Sequence, residues 1–199
     1  MVLSMQVKER AIVLSKIKYG EADLILKLLS VNGDVYSVIA KSALKSKKRF
    51  GGGVLEPTHY ILCTLQKNQD EQSERLSVLN EAQVVDDFRG LKSDYDRLEL
   101  AFHFVKTVAT VAREGDHHLD IFNLLGHALK KAETAQNLST LKMQFDLKLL
   151  HLQGVLPADD RFVPFLKSPI RETDDLTVNS DDFSYIRREL EYIFSSYIQ

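Results

Sequence analysis

The strongest constraint on the fold is a change of hydrophobic period near residue 88. Before this point, apolar and polar residues alternate in short β-branched runs, which is typical of half-buried strands. After Gly90, apolar residues recur every three to four positions, which is the period of helices that bury one face. The sequence therefore predicts an α+β chain with a β-rich domain over residues 1–85 and an all-α helical domain over residues 88–199.

Five strands are predicted in the first domain, at residues 7–17, 22–31, 34–43, 54–67 and 75–85. In the first strand, alternation places Ala11, Val13, Ser15 and Ile17 on one face. Asn32-Gly33 favours a two-residue type I′ turn, so the second and third strands should form a hairpin. Five strands in about 80 residues are the size of an OB-type β-barrel. An SH3-like barrel fits the pattern nearly as well.

Four helices are predicted in the second domain. Ser93 with Asp96 resembles a capping box at the start of the first helix. Two further helices are expected over about residues 117–135 and from a cap at Ser139, and a last one begins at Ser180 or Asp181. Residues 159–179 should be irregular. The inward stripe of the first helix is expected to be Leu98, Ala101, Phe102, Val105, Val108, Ala109 and Ala112.

A basic stretch lies between the third and fourth predicted strands and ends in Gly51-Gly52-Gly53. A cationic, flexible loop between two strands suits a phosphate backbone, although a solvated surface loop has the same composition. Residues 1–80 hold 12 Lys+Arg against 8 Asp+Glu, whereas the remainder holds 14 against 20. This asymmetry favours a polyanionic partner for the first domain. The predicted phosphate contacts are Lys41, Lys45, Lys47, Lys48 and Arg49.

Four aromatic residues of the first domain could stack on nucleic-acid bases: Tyr19, Tyr36, Phe50 and Tyr60. Core packing explains each of them as well. Phe50 is the preferred candidate for a DNA-binding side chain, because it lies directly between the cations and the glycines.

Catalytic and metal-binding motifs carry little weight in this sequence. Asp116-His117-His118, with Asp94-Tyr95-Asp96 upstream, spells the motifs of a metal-dependent phosphoesterase family, yet both are predicted at helix starts rather than at strand ends. His59, His103, His127 and His151 occur singly, and Cys63 is the one cysteine. We therefore expect no enzyme activity, no cofactor and no structural zinc, and a buried, apolar role for Cys63.

Three segments in order carry a resemblance to a known family. These are A-I-V-L-S-K-I-K-Y-G-E-A-D-L-I-L-K-L-L-S from Ala11, G-D-V-Y-S-V-I-A-K-S-A from Gly33, and K-K-R-F-G-G-G-V-L-E-P from Lys47. They resemble the bacterial RecO family of DNA repair proteins, and L-x-L-L-H-L-Q-G-V-L-P from Leu147 extends the similarity into the helices. Many relatives insert a four-cysteine zinc element after the segment matching residues 150–160, and no such cysteines occur here.

The resemblance implies an N-terminal OB-fold, a helical domain and an accessory role in recombinational repair. It implies binding of single-stranded and double-stranded DNA, annealing of complementary strands, and help in loading RecA. The implied partners are RecR and the acidic C-terminal tail of single-strand binding protein. Cations of the helical domain could rim a slot for that tail. The candidates are Lys106, Arg113, Lys130 and Lys131, with Lys142 and Lys148 as further possibilities.

A protein-interaction adaptor with only incidental DNA affinity is the alternative function. We expect a cytoplasmic, nucleoid-associated protein without a membrane segment, because no apolar run approaches the roughly 18 residues that a membrane helix needs. Charges that follow the short apolar N-terminus also argue against a secretory signal.

Overall fold

The computed structural model of the chain describes residues 5–67 and 76–197. It divides into two compact units. A barrel unit consists of Met1–Phe88 and Ala112–Phe122, and a helical unit consists of Arg89–Val111 and Asn123–Gln199. The barrel unit thus includes a segment from beyond the predicted domain boundary.

The first unit is a closed five-stranded barrel. Its strands are β1 (Met5–Tyr19), β2 (Asp23–Ser30), β3 (Val35–Ala40), β4 (Tyr60–Lys67) and β5 (Ser77–Asp86). They close in the order β1-β2-β3-β5-β4, with a parallel contact between β3 and β5 and antiparallel pairing elsewhere. This Greek-key barrel is an OB-fold. The predicted fold class, an OB-fold barrel followed by helices, is confirmed.

A β-bulge in β1 changes which of its side chains face the barrel interior. The pairing register with β2 shifts between Val13 and Ser15. Ala11 and Val13 belong to the interior cluster, whereas Ser15 and Ile17 lie on the outer face. The prediction that all four share one face is therefore wrong, because the extra residue of a bulge reverses the alternation beyond it.

The β2–β3 hairpin is confirmed, but its turn is not the predicted type I′ turn. The connection comprises residues 31–34, and Gly33 has a φ of +88° whereas Asn32 has no positive φ. The Gly33 carbonyl accepts a hydrogen bond from the His118 backbone N–H at 2.8 Å. A Cβ at Gly33 would lie 2.4 Å from the Leu119 nitrogen. Close backbone approach, as well as backbone conformation, therefore requires glycine here.

The connection between β3 and β4 is longer than predicted. Lys47–Phe50 forms a short helix, α1, and Gly51–Gly53 forms a 3-10 turn. Residues 54–59 were predicted as strand but form turns, in which Thr58 has a φ of +81°. Val54 and Leu55 are nevertheless buried in the barrel core. Their apolar character therefore reflects core packing rather than strand pairing.

All four main helices that the sequence predicted are present, and all but the first turn of the second one, residues 119–122, lie in the helical unit. They are α2 (Tyr95–Val111), α3 (Leu119–Ala132), α4 (Leu138–Leu152) and α6 (Ser180–Tyr197), with a short α5 (Val163–Lys167) before the last. The predicted irregular stretch contains α5 and two 3-10 turns, Asp160–Phe162 and Ile170–Asp175. Gln144 holds this stretch, because its amide donates to the Phe165 and Ser168 carbonyls at 3.2 and 2.9 Å.

The N-terminal caps are one or two residues away from those predicted. The Asp94 carboxylate accepts from the Asp96 N–H at 2.8 Å, while Ser93 donates to a carbonyl instead. Asn137 and Asn179 cap α4 and α6. Asp and Asn compete well with serine at this position, so composition alone left the choice open. The predicted stripe of α2 also shifts, because Phe104 is buried and Phe102 is 43% exposed.

Cys63 provides a first test of the barrel core. It is 1% exposed, and burial, followed by the Glu9 charge, raises the pKa of its thiol to about 12. The predicted buried, apolar role is confirmed. We expect native protein at pH 8 to resist an aromatic disulfide reagent that labels one thiol per chain in denaturant. Stoichiometric labelling of the native protein within minutes would contradict this packing.

No helix among the described residues is long and apolar enough to cross a bilayer.

Candidate nucleic-acid interface

The basic loop, residues 41–53, is attached to the barrel and closed on itself by hydrogen bonds. The Ser42 and Leu44 N–H groups donate to Asp23 Oδ1 at 2.7 Å and to the Ala22 carbonyl at 3.0 Å. Both bonds attach the loop to the turn between β1 and β2. The Arg49 guanidinium donates to the Lys41 carbonyl at 2.7 Å and to Ser46 Oγ at 3.1 Å, so it closes the loop on itself.

Four of the five predicted phosphate contacts extend into solvent. Lys41, Lys45, Lys47 and Lys48 are exposed. Lys45 Nζ lies 4.0 Å from Glu21 Oε2, and both side chains are largely exposed, so this pair contributes little. Within the described part of the chain, the other three ammonium groups make no ion pair or hydrogen bond. Arg49 differs from them, because it is half-buried and bonded to the loop.

Phe50 does not offer the exposed stacking face that was predicted. It is 7% exposed and belongs to the barrel's interior cluster, together with Ala43, Val54 and Leu55. The Arg49 guanidinium carbon lies 5.1 Å from its ring centroid. A large apolar ring at the end of a four-residue helix is more stable inside the barrel than in water, and this burial fixes the basic loop on the core.

The other three candidates for base stacking differ in how far their rings are exposed to solvent. Tyr36 donates to Asp34 Oδ2 at 2.9 Å and lies beneath the Lys67 ammonium, 4.4 Å from the ring centroid. Tyr60 packs on Phe122 with ring centroids 6.1 Å apart. Tyr19, at the end of β1, is 56% exposed. Tyr19 is therefore the one of the four that presents a ring to solvent.

A second concave site lies within the helical unit. A cavity of about 630 Å³ opens between α2, α4 and α6. Apolar side chains of Met143, Phe183, Leu190 and Phe194 line it, and Lys142 and Arg187 are its cations.

A buried carboxylate organises one wall of this cavity. Asp146 is fully buried, and its two oxygens accept hydrogen bonds from His103 Nε2 and Lys142 Nζ, each at 2.7 Å. Arg187 pairs with Glu191 at 3.1 Å on the opposite, exposed side. The cavity thus combines apolar surfaces with one ion pair in its wall and another on its exposed side.

The structure does not bring the predicted tail-binding cations together. Lys106 and Arg113 are exposed, but Arg113 lies in the segment that joins the barrel unit. Lys130 and Lys131 pair with Glu133 at 2.7 Å and with Asp174 at 2.6 Å. The second pair is largely buried and holds α3 to the 3-10 turn. Of the six candidates, only Lys142 lines the cavity.

Lys148, the remaining candidate, is also engaged within the fold. Its ammonium donates to the Leu166 carbonyl at 2.6 Å, and burial lowers its pKa from the ordinary value. This contact fixes α5 to α4.

The phosphoesterase motifs do not assemble. Asp94 caps α2, and His118 is buried, with its Nε2 3.0 Å from the Arg113 carbonyl. Asp116 and His117 are exposed in the connection before α3. Over residues 5–67 and 76–197, no group of three His, Cys, Asp or Glu side chains is placed to hold a metal ion.

The closed five-stranded Greek-key barrel places the first unit in the OB-fold class, whose members often bind oligonucleotides or oligosaccharides. Residues 5–88 match the family described as "Recombination protein O N terminal". This match confirms the resemblance to the RecO family that the sequence segments indicated.

Curated relatives extend the similarity into the helices. The chain is 32% identical over 156 residues to DNA repair protein RecO of Alkaliphilus metalliredigens (strain QYMF), which covers 77% of this chain and 60% of that protein. For RecO of Maridesulfovibrio salexigens the identity is 29% over 153 residues, covering 77% and 61%. For RecO of Anaeromyxobacter dehalogenans (strain 2CP-C) it is 29% over 155 residues, covering 78% and 59%. The chain thus spans about 60% of the length of these relatives.

Proposed function

We propose that this protein is a non-enzymatic DNA-binding mediator of recombinational repair. It binds single-stranded and double-stranded DNA, anneals complementary single strands, and assists RecA loading together with RecR and single-strand binding protein. The observation that carries the proposal is the set of four exposed lysines on an ordered loop of an OB-fold barrel. The similarity to proteins named for DNA repair supports the biological setting.

Charge and order together make the basic loop suitable for phosphates. Cations that are fixed by the fold but not neutralised release counterions from DNA when they bind, which favours association at low salt. Such contacts position the strand without reading its sequence. Arg49 contributes mainly by holding the Lys41 carbonyl, so it shapes the loop that presents the lysines.

A salt titration of single-stranded DNA binding tests this function. With fluorescence anisotropy of a labelled oligothymidine, we expect log K to fall with log[salt] with a slope of about −2.8, which is −0.7 for each of four lysines. An adaptor with incidental DNA affinity requires no such slope. Weak binding that is insensitive to salt between 50 and 300 mM would favour the adaptor.

The helical-unit cavity supports capture of the tail of single-strand binding protein. An acidic peptide with an aromatic end needs an apolar slot bordered by cations, and the cavity supplies both. Asp146 in the cavity wall and Glu191 on the exposed side already pair with these cations, so the peptide must displace one carboxylate from its cation. For Arg187 and Glu191, which are 72% and 65% exposed, that exchange costs little.

Charge reversal at Arg187 is the sharpest test of tail capture. We expect Arg187→Glu to weaken binding of an acidic tail peptide by roughly tenfold, equivalent to about 1.4 kcal/mol, without loss of stability. Arg171→Glu is the matched control, because Arg171 is 79% exposed and also has an adjacent glutamate partner. Isothermal titration gives both affinities. Equal losses in the two variants, or peptide-induced chemical shifts confined to residues 5–67, would contradict this location.

A further inference from the structure

The outer face of the barrel has a covered half and an open half. Outward-facing Ile12 and Leu29 are buried, and the segment Ala112–Phe122 contacts this half at the Gly33 turn and at Tyr60. The open half lies toward the β1–β2 turn. There, backbone pairing aligns a cross-strand apolar row on β1, β2, β3 and β5, which consists of Ile17, Ile25, Ile39 and Val78.

The apolar row is unusual because it faces solvent. Ile17 is 64% exposed, and the other three members are partly exposed. Tyr19, two residues beyond Ile17 on the same face, adds an exposed aromatic ring at the end of the row. The bulge in β1 produces this arrangement, since it turns Ile17 and Tyr19 outward while Lys16 and Lys18 pair with inward-facing Leu26 and Leu24.

The positive charge of the residues around this face indicates which kind of ligand binds it. Residues 15–49 hold eight Lys+Arg against three Asp+Glu, a net charge of +5. The basic loop is attached at the same end of the sheet, because Ser42 and Leu44 bond to Asp23 and Ala22 beside Tyr19. Lys41 directly follows Ala40, which pairs with Leu24. An apolar and aromatic strip beside a row of cations suits a single strand, whose bases are apolar and whose backbone is anionic.

We propose that bases of single-stranded DNA lie on Tyr19 and the apolar row while the phosphates bind Lys41, Lys45, Lys47 and Lys48. This inference rests on the proposed DNA-binding function and specifies where the bases bind. Tyr19 provides the stacking surface that Phe50 cannot provide. Because every base has a π-face, the surface is tolerant of sequence.

Substitution of Tyr19 separates stacking from charge. Tyr19→Ala is expected to weaken oligothymidine binding by about 5- to 150-fold, the range for loss of one base–aromatic stack, with an unchanged salt slope. Tyr19→Phe keeps the ring and should bind like wild type. Tyr192→Ala, at a 70% exposed tyrosine of the helical unit, is the control and should also bind like wild type.

A spectroscopic readout follows from the absence of tryptophan in this sequence. Tyr19→Trp is expected to bind oligothymidine and to lose much of its emission at saturation, whereas Tyr95→Trp, at a 77% exposed position of α2, keeps its emission. Wild-type affinity for Tyr19→Ala, or unchanged emission from Tyr19→Trp at saturation, would overturn the base site while leaving the DNA-binding function intact. A flat salt slope in the wild type would instead refute that function. If Tyr19→Ala altered only self-association in sedimentation, the face would be a protein interface and the inference wrong.

Discussion

Changing Lys41, Lys45, Lys47 and Lys48 together to glutamate is expected to remove most of the salt dependence of single-stranded DNA binding. The four lysines are expected to contribute a slope of about −2.8. Over the roughly 1.3 decades between 50 mM and 1 M salt, this slope corresponds to a loss of between about three and four orders of magnitude in affinity at 50 mM. All four side chains are exposed, so the barrel should remain folded. Anisotropy titrations across a salt series measure both quantities.

Two double variants with the same change in net charge show whether DNA binding depends on the lysines of the basic loop or on the net charge of the protein. Lys47→Glu with Lys48→Glu changes the net charge by the same amount as Lys106→Glu with Lys167→Glu, whose lysines are exposed in the helical unit. Only the first pair should lower affinity and flatten the slope. Equal effects of the two pairs would mean that net charge, rather than the loop, governs binding. Arg49 is left intact, because its loss would free the Lys41 carbonyl and disturb the loop.

Phe50→Ala is expected to destabilise the barrel by about 3–5 kcal/mol, the usual cost of removing a buried phenyl ring. Urea denaturation followed by circular dichroism measures this loss. Phe50→Leu keeps most of the volume and should cost less than about 1.5 kcal/mol. Because Phe50→Leu keeps the basic loop fixed on the core, the DNA affinity of this variant should stay within a few-fold of wild type. A Phe50→Leu protein that is as stable as wild type but binds DNA much more weakly would show that Phe50 contacts DNA after all.

Periodicity predicted the elements better than their ends. The five strands and four main helices follow from burial of one face or stripe, which the order of apolar residues records directly. The first residue and the cap of each helix depend on single hydrogen bonds. Asp94, Asn137 and Asn179 make these bonds, in competition with neighbouring serines and aspartates. The sequence pattern is the same for either choice, so it could not decide between them.

The candidate site was predicted in part. The lysines of the basic loop were recognisable because a dense run of cations is rarely buried. The separate roles of Phe50 and Tyr19 were not recognisable, since burial of the first depends on how α1 folds onto the barrel. Exposure of the second depends on a bulge that alternation alone does not reveal. The cavity between α2, α4 and α6 likewise required tertiary packing.

The barrel unit's second segment has a consequence for synthesis on the ribosome. Its strands are complete by Asp86, but the Ala112–Phe122 segment emerges only after α2 has been translated. The contacts of Gly33 and Tyr60 with this segment can therefore form only after it has been synthesised. Until then, the outward-facing side chains of Ile12 and Leu29 lack that segment beside them. A nascent barrel at this stage is a natural client for a chaperone that binds apolar β-surfaces. For the same reason, an expression fragment that stops at residue 88 should be less soluble than one that continues beyond residue 122.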